Sequence, residues 1–282
     1  MSLSKLEFHS KVLDMDQSLY VILPDKGEGA PPEPLPPEGG YPVLYLLHGT
    51  SHDFSHFLRY TSIERYAADR KIAVVTPSAQ LSGYADMAHG EPFFTYLTEE
   101  VPEIVKNLYP VSRKREDTFV AGVSMGGYGA AKVGLTYPDR FAAIGALSNG
   151  NHAYIRPIGF HARNANEEFP RSITDARHLL CWGIGEEGDP RGTGEDLYYL
   201  AEKAMEAGGP LPALFHLCGS FDRNLAMAQH MRDYFRALPG DPFHYCYYEE
   251  PYGEHIWDDW DRWLRIFLAW LPVDLPSSIL PM

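Results

Sequence analysis

The chain has 282 residues, 45% hydrophobic and 22% charged, which is ordinary for a folded domain with ample material for a core. Its 38 acidic against 24 basic residues leave a formal net charge of −14. That balance argues against nucleic acid or an anionic membrane as a partner, since both demand clustered Lys and Arg. No apolar run is long enough to span a membrane, the segment 1–7 lacks the apolar core of a signal peptide, and Cys181, Cys218 and Cys246 are odd in number without metal-ligand spacing, so a cytoplasmic location is expected.

In chain order, residues 19–24 read as an early strand. Residues 27–40, rich in Pro, Gly and Glu, read as an exposed connection. Residues 43–47 and 72–77 are uninterrupted apolar runs suited to central parallel strands buried on both faces. Between them His48, His52 and His56 recur at every fourth position. On one helix they would share a face and suggest a metal, but Gly49-Thr50-Ser51 argues against a continuous helix, and His52 or His56 is expected at a site entrance. Residues 93–109 place Phe94, Leu97, Val101, Ile104, Val105 and Leu108 at helical spacing.

The run 118–121 then leads into Gly122-Val123-Ser124-Met125-Gly126-Gly127, followed by a helix-compatible stretch to Leu135. Strand or helix patterns follow at 141–147, 213–218, 243–248 and 257–271. Residues 149–192 interrupt the alternation and are expected to form a small cap-like insertion. The pattern predicts one α/β domain over 1–282, with a doubly wound, mostly parallel sheet and helices on both faces.

A serine at the tip of a sharp strand-to-helix turn is lifted above the sheet edge, and the turn tolerates only small neighbours. Asp222 follows the strand at 213–218 and His255 follows the aromatic run at 243–248. Each has an ordinary alternative: a serine in a glycine-rich turn, a helix N-cap, a loop histidine. Together, in the order Ser, Asp, His and after separate strands, they predict nucleophilic acyl transfer in the α/β-hydrolase arrangement. Ser124 would attack an acyl carbon, His255 would relay the proton, and Asp222 would orient the imidazole. Two backbone donors must stabilise the oxyanion: the N–H of Met125 and, from the loop after His48-Gly49, that of Thr50.

The strings YLLHG, SIERYA, FVAGVSMGGYGA, LCGSFD and GEHIWDDWD resemble the esterase D-like family of esterases, with the nearest likeness to tributyrin-esterase-type short-chain carboxylesterases. The resemblance implies an α/β-hydrolase fold with no metal or organic cofactor, a triad at Ser124, Asp222 and His255, and oxyanion donors at Thr50 and Met125. Phe54, His52 and Trp257 are candidate pocket residues. The expected activity is hydrolysis of a small-molecule, short-chain acyl ester through an acyl-enzyme; a homo-oligomer stays open. Alternatives on the same triad are an acyltransferase or an S-formylglutathione-type thioesterase. A different class would be a silent binding protein on the same scaffold, against which the complete triad argues. The Cys-containing loop of the glutathione-thioester branch is replaced here by Thr50-Ser51-His52-Asp53-Phe54.

Overall fold

The computed structural model describes residues 1–24, 36–155, 171–185 and 188–273. The chain opens with an antiparallel pair, β1 (Ser2–Ser10) and β2 (Met15–Leu23). β1 is an addition to the sequence reading. Its side chains alternate between exposed and half-buried, an edge-strand pattern with too few apolar residues to announce itself. The loop expected at 27–40 falls mostly outside the described residues.

The next four strands are β3 (Val43–Leu47), β4 (Ala73–Pro77), β5 (Thr118–Val123) and β6 (Ala143–Leu147), and every residue in them is buried. Strands buried on both faces need helices on both sides, which is the setting of a parallel sheet. β7 (Ala213–Gly219) and β8 (Cys246–Glu250) complete an eight-stranded sheet in the order β1-β2-β4-β3-β5-β6-β7-β8. β3 to β8 pair in parallel, and β1 and β2 run antiparallel at one edge.

Side chains of β5 alternate between two cores, as a period of two requires. Phe119, Ala121 and Val123 face Ile63 and Tyr66 of α2 (Ile63–Arg70) and the C-terminal helix Trp257–Trp270, which contributes Trp263, Leu264 and Phe267. A short helix, α1 (His56–Tyr60), precedes α2. On the other face Val120 meets residues of α3 (Val101–Leu108), α4 (Met125–Thr136), α6 (Leu197–Glu206) and α7 (Leu225–Ala237). Helix α5 (Arg171–Trp182) lies in the expected insertion, and the C-terminal helix is α8.

The structure adjusts two readings of the 93–109 segment. The helix over 93–109 forms as one helical run from Phe93 to Leu108, but it widens into a π-helical segment at Tyr96–Glu100 before continuing as α3. Pro102 has no N–H to offer the Thr98 carbonyl, which accepts instead from Arg140 Nη1 at 3.0 Å. Leu108, placed on the apolar face by its spacing, is 62% exposed. Of the three cysteines, all free thiols, Cys181 and Cys218 are buried and Cys246 is only half-buried.

In the span 149–192, residues 156–170 and 186–187 lie outside the described residues. The remainder holds a 3-10 turn, His152–Tyr154, and α5. The Leu180 and Cys181 carbonyls of α5 accept from the His89 and Ala88 N–H groups, each at 3.0 Å.

Candidate active site

Ser124 leaves the end of β5 with φ 57° and ψ −120°, a left-handed backbone that strains any residue carrying a Cβ. The neighbouring glycines make room for it. A Cβ on Gly122 would lie 2.3 Å from the Gly126 carbonyl oxygen, and one on Gly126 would lie 2.0 Å from that of Leu47. The turn can therefore press α4 directly against the end of β3. The Ser124 N–H donates to the Leu147 carbonyl at 2.9 Å, which ties the turn to β6. Helix α4 begins at Met125, so its free N-terminal amides open beside the serine.

Asp222 sits on the turn after β7, with its side chain fully buried. Its Oδ1 accepts from the Asn224 N–H at 2.8 Å. The expected helix-cap alternative is thus partly present as an Asx-type turn, with the carboxylate performing both jobs. His255 comes from the loop after β8, and that loop packs against the Asp222 turn, the Phe221 N–H donating to the Gly253 carbonyl at 2.8 Å.

His255 Nε2 lies 2.9 Å from Ser124 Oγ, and its Nδ1 lies 2.9 Å from Asp222 Oδ1 and 3.1 Å from Oδ2. If Nε2 accepts the serine proton, the ring proton must be on Nδ1, where the carboxylate accepts it. Trp260 meets the ring edge-on at 5.0 Å. Three residues separated by 98 and 33 positions in sequence thus form one hydrogen-bonded line.

The loop carrying Thr50 abuts the serine: a Cβ on Gly49 would lie 3.4 Å from Ser124 Cβ and 3.3 Å from His52 Nδ1. His48, just before it, is fully buried; its Nδ1–H donates to the Gly49 carbonyl at 2.8 Å and its Nε2 accepts from the Ala79 N–H at 2.9 Å. Burial pushes its pKa down to about 4, so His48 is a neutral brace for the loop. His52 stacks on His56 at 4.4 Å and meets Trp257 at 5.1 Å. Burial, followed by the charges of His56 and, more weakly, His255, lowers its pKa to about 4.

His52 and Trp257 are therefore brought together on the side of Trp260 and His255. The Phe54 ring instead packs on Tyr20 at 4.9 Å with Lys5 Nζ above it, at the antiparallel edge of the sheet. The three regularly spaced histidines share no helix face, because His48 follows β3 and His56 opens α1.

Residues 10–270 match the model of the family described as "Putative esterase". The chain belongs to this esterase family. An acetyl esterase from Caldicellulosiruptor saccharolyticus is 30% identical over 277 residues, 96% of this chain and 98% of that one. Among solved structures, a fluorophosphonate-binding serine hydrolase of Staphylococcus aureus superposes with a TM-score of 0.80 at 32% identity, covering 97% of this chain and 99% of the other. An S-formylglutathione hydrolase of the same organism gives 0.73 at 32%, covering 96% and 99%. The protein is an esterase, a serine hydrolase with the α/β-hydrolase fold.

Sequence reading of this esterase missed two groups around its site. Ser148, directly after β6, is fully buried and donates from Oγ to Asp222 Oδ2. The only available signal was the polar Ser148-Asn149-Gly150 that ends an apolar run, at the strand edge where parallel sheets carry their sites. Lys132 of α4 is buried against Glu195 at 2.7 Å, and Tyr128, one turn beyond Ser124, donates to the same carboxylate at 2.8 Å. This pins the segment before α6 to α4. No sequence pattern links residues 63 positions apart.

Proposed function

We propose that the esterase hydrolyses small acyl esters through an acyl-enzyme on Ser124. The observation that carries this reading is the continuous line from Ser124 Oγ through both His255 nitrogens to Asp222, each link at 2.9 Å. His255 takes the serine proton as Oγ attacks the acyl carbon, and then returns it to the departing alkoxide. Asp222 keeps the ring oriented and stabilises the imidazolium that forms. The Met125 and Thr50 N–H groups receive the oxyanion, each donor worth about 3 kcal/mol of barrier. Water then repeats the cycle and frees the acid.

A short acyl group is the preferred substrate. Ser124 is only 7% exposed, and the bulky rings of Trp257, Trp260 and His52 stand beside His255, so little room is left for a long chain. The name of the acetyl esterase relative points the same way. A thioester reading draws support from the S-formylglutathione hydrolase likeness. We read 149–192 as a cap, because Trp182 of α5 packs on Tyr128 at 6.2 Å, one turn from Ser124. Three unpaired thiols suit a reducing cytoplasm.

The test is Ser124→Ala together with a rate profile over p-nitrophenyl esters from acetyl to octanoyl, with thioesters matched in leaving-group reactivity. Turnover should vanish in the variant, and the wild type should peak between acetyl and butyryl. Retained turnover in the variant refutes the nucleophile, and a preference for octanoyl or for thioesters refutes the substrate assignment.

A further inference from the structure

Ser148 occupies the strand end between the two loops that supply the nucleophile and the carboxylate, since β6 lies between β5 and β7. Its backbone continues the sheet ladder: the Ser148 N–H donates to the Leu217 carbonyl at 2.8 Å, as that of Ser124 does to Leu147. The residue is completely buried and has φ 58°. Serine is held there in a conformation that glycine would adopt without strain. The Asn224 side-chain amide donates to the Ser148 carbonyl at 2.7 Å, and the Asn224 N–H donates to Asp222, so one asparagine fixes both the serine and the carboxylate.

The hydroxyl bridges two members of the triad. Oγ–H donates to Asp222 Oδ2, and Oγ lies 2.8 Å from His255 Nδ1. A hydroxyl has one proton, and here the carboxylate, the strongest acceptor in reach, takes it. Oγ therefore turns a lone pair toward Nδ1. A ring with its proton on Nδ1 gains a second acceptor there, whereas a ring with its proton on Nε2 would bring two lone pairs together.

We propose that Ser148 is a positioning residue of this esterase, whose buried hydroxyl, bridging Asp222 and His255, locks the imidazole in the Nδ1–H tautomer that can accept the Ser124 proton. The proposal rests on the triad reading above. It also accounts for a serine at a strained position: the backbone conformation aims the hydroxyl between carboxylate and ring.

Ser148→Gly and Ser148→Ala separate this role from a structural one. Both remove the hydroxyl, but only the glycine variant relieves the backbone. With p-nitrophenyl acetate at mildly alkaline pH, kcat should fall about ten- to a hundredfold in both, the range for losing a hydrogen bond to a charged group. KM should change little. The low-field proton signal of His255 Nδ1–H should shift or broaden in both variants, while the glycine variant melts no lower than the alanine variant. Near-wild-type kcat in either variant, or activity that recovers in step with melting temperature from alanine to glycine, overturns the proposal. Ser124→Ala run alongside keeps the two readings apart. If it is inactive while the Ser148 variants keep full kcat, only the positioning role fails; if it turns over, the triad and this proposal fail together.

Discussion

Asp222→Asn replaces one oxygen by an NH2 group of nearly the same size, so its effect follows from hydrogen-bond roles alone. Oδ1 already receives two donors, the Asn224 N–H at 2.8 Å and the His255 Nδ1–H at 2.9 Å. An NH2 group there would face the Asn224 N–H, a backbone donor that cannot change role. The amide must turn its nitrogen to the Oδ2 position, opposite Ser148 Oγ. It then donates to the serine, whose own proton swings to His255 Nδ1, 2.8 Å away. The ring is left with its proton on Nε2, pointing at Ser124 Oγ instead of accepting from it. The expected loss is about 10⁴ in kcat, as in the comparable protease variant, or about 5.5 kcal/mol of barrier. The assay is steady-state hydrolysis of p-nitrophenyl acetate across neutral and alkaline pH, with circular dichroism to verify the fold. A loss smaller than about tenfold would show that the carboxylate serves its turn and not the histidine, and the reasoning would be wrong.

Gly126→Ala should disable the enzyme through the backbone, because its methyl would lie 2.0 Å from the Leu47 carbonyl oxygen and 2.6 Å from that of His48. Helix α4 would have to retreat by about 1 Å, costing roughly a hundredfold in kcat/KM; a variant with wild-type kinetics would contradict the close packing. Acid should destabilise the fold through neutral buried histidines. Burial holds His48 and His216 near a pKa of about 4 and His152 near about 3, against an ordinary 6.5. Between these values the unfolded chain binds protons that the native chain refuses, so stability is complete above pH 6.5 and falls as pH drops toward 4. Each histidine contributes a slope of about 1.4 kcal/mol per pH unit. Urea midpoints measured across mildly acidic pH should fall accordingly, and a flat profile over that range would refute the assignment of neutral, buried rings.

Much of this site was legible because its signals are local. A serine between glycines after an apolar strand, then an acid and a histidine each after its own strand, can be read without knowing how the strands pair, since turn chemistry depends on neighbours in sequence. The same holds for buried parallel strands, which announce themselves as unbroken apolar runs such as 43–47. Signals faded where a role depends on what lies opposite. β1 alternates too weakly to be seen until β2 pairs with it. The helix over 93–109 kept its apolar spacing but widened into a π-helical segment just before Pro102, and Arg140, from a distant turn, donates to the Thr98 carbonyl that Pro102 cannot serve. Phe54 and Trp257 looked alike as aromatic pocket residues, yet one packs at the sheet edge and the other beside the imidazoles.

The sequence by itself thus determined the fold class and the three residues of the hydrogen-bonded line, because each is set by a strand and the few residues that end it. Only the tertiary structure decided their company. Ser148 bridges Asp222 and His255 from positions 74 and 107 residues away. Such contacts exist only once β6 is seated between β5 and β7, and burial there turns an ordinary hydroxyl into a fixed donor and acceptor.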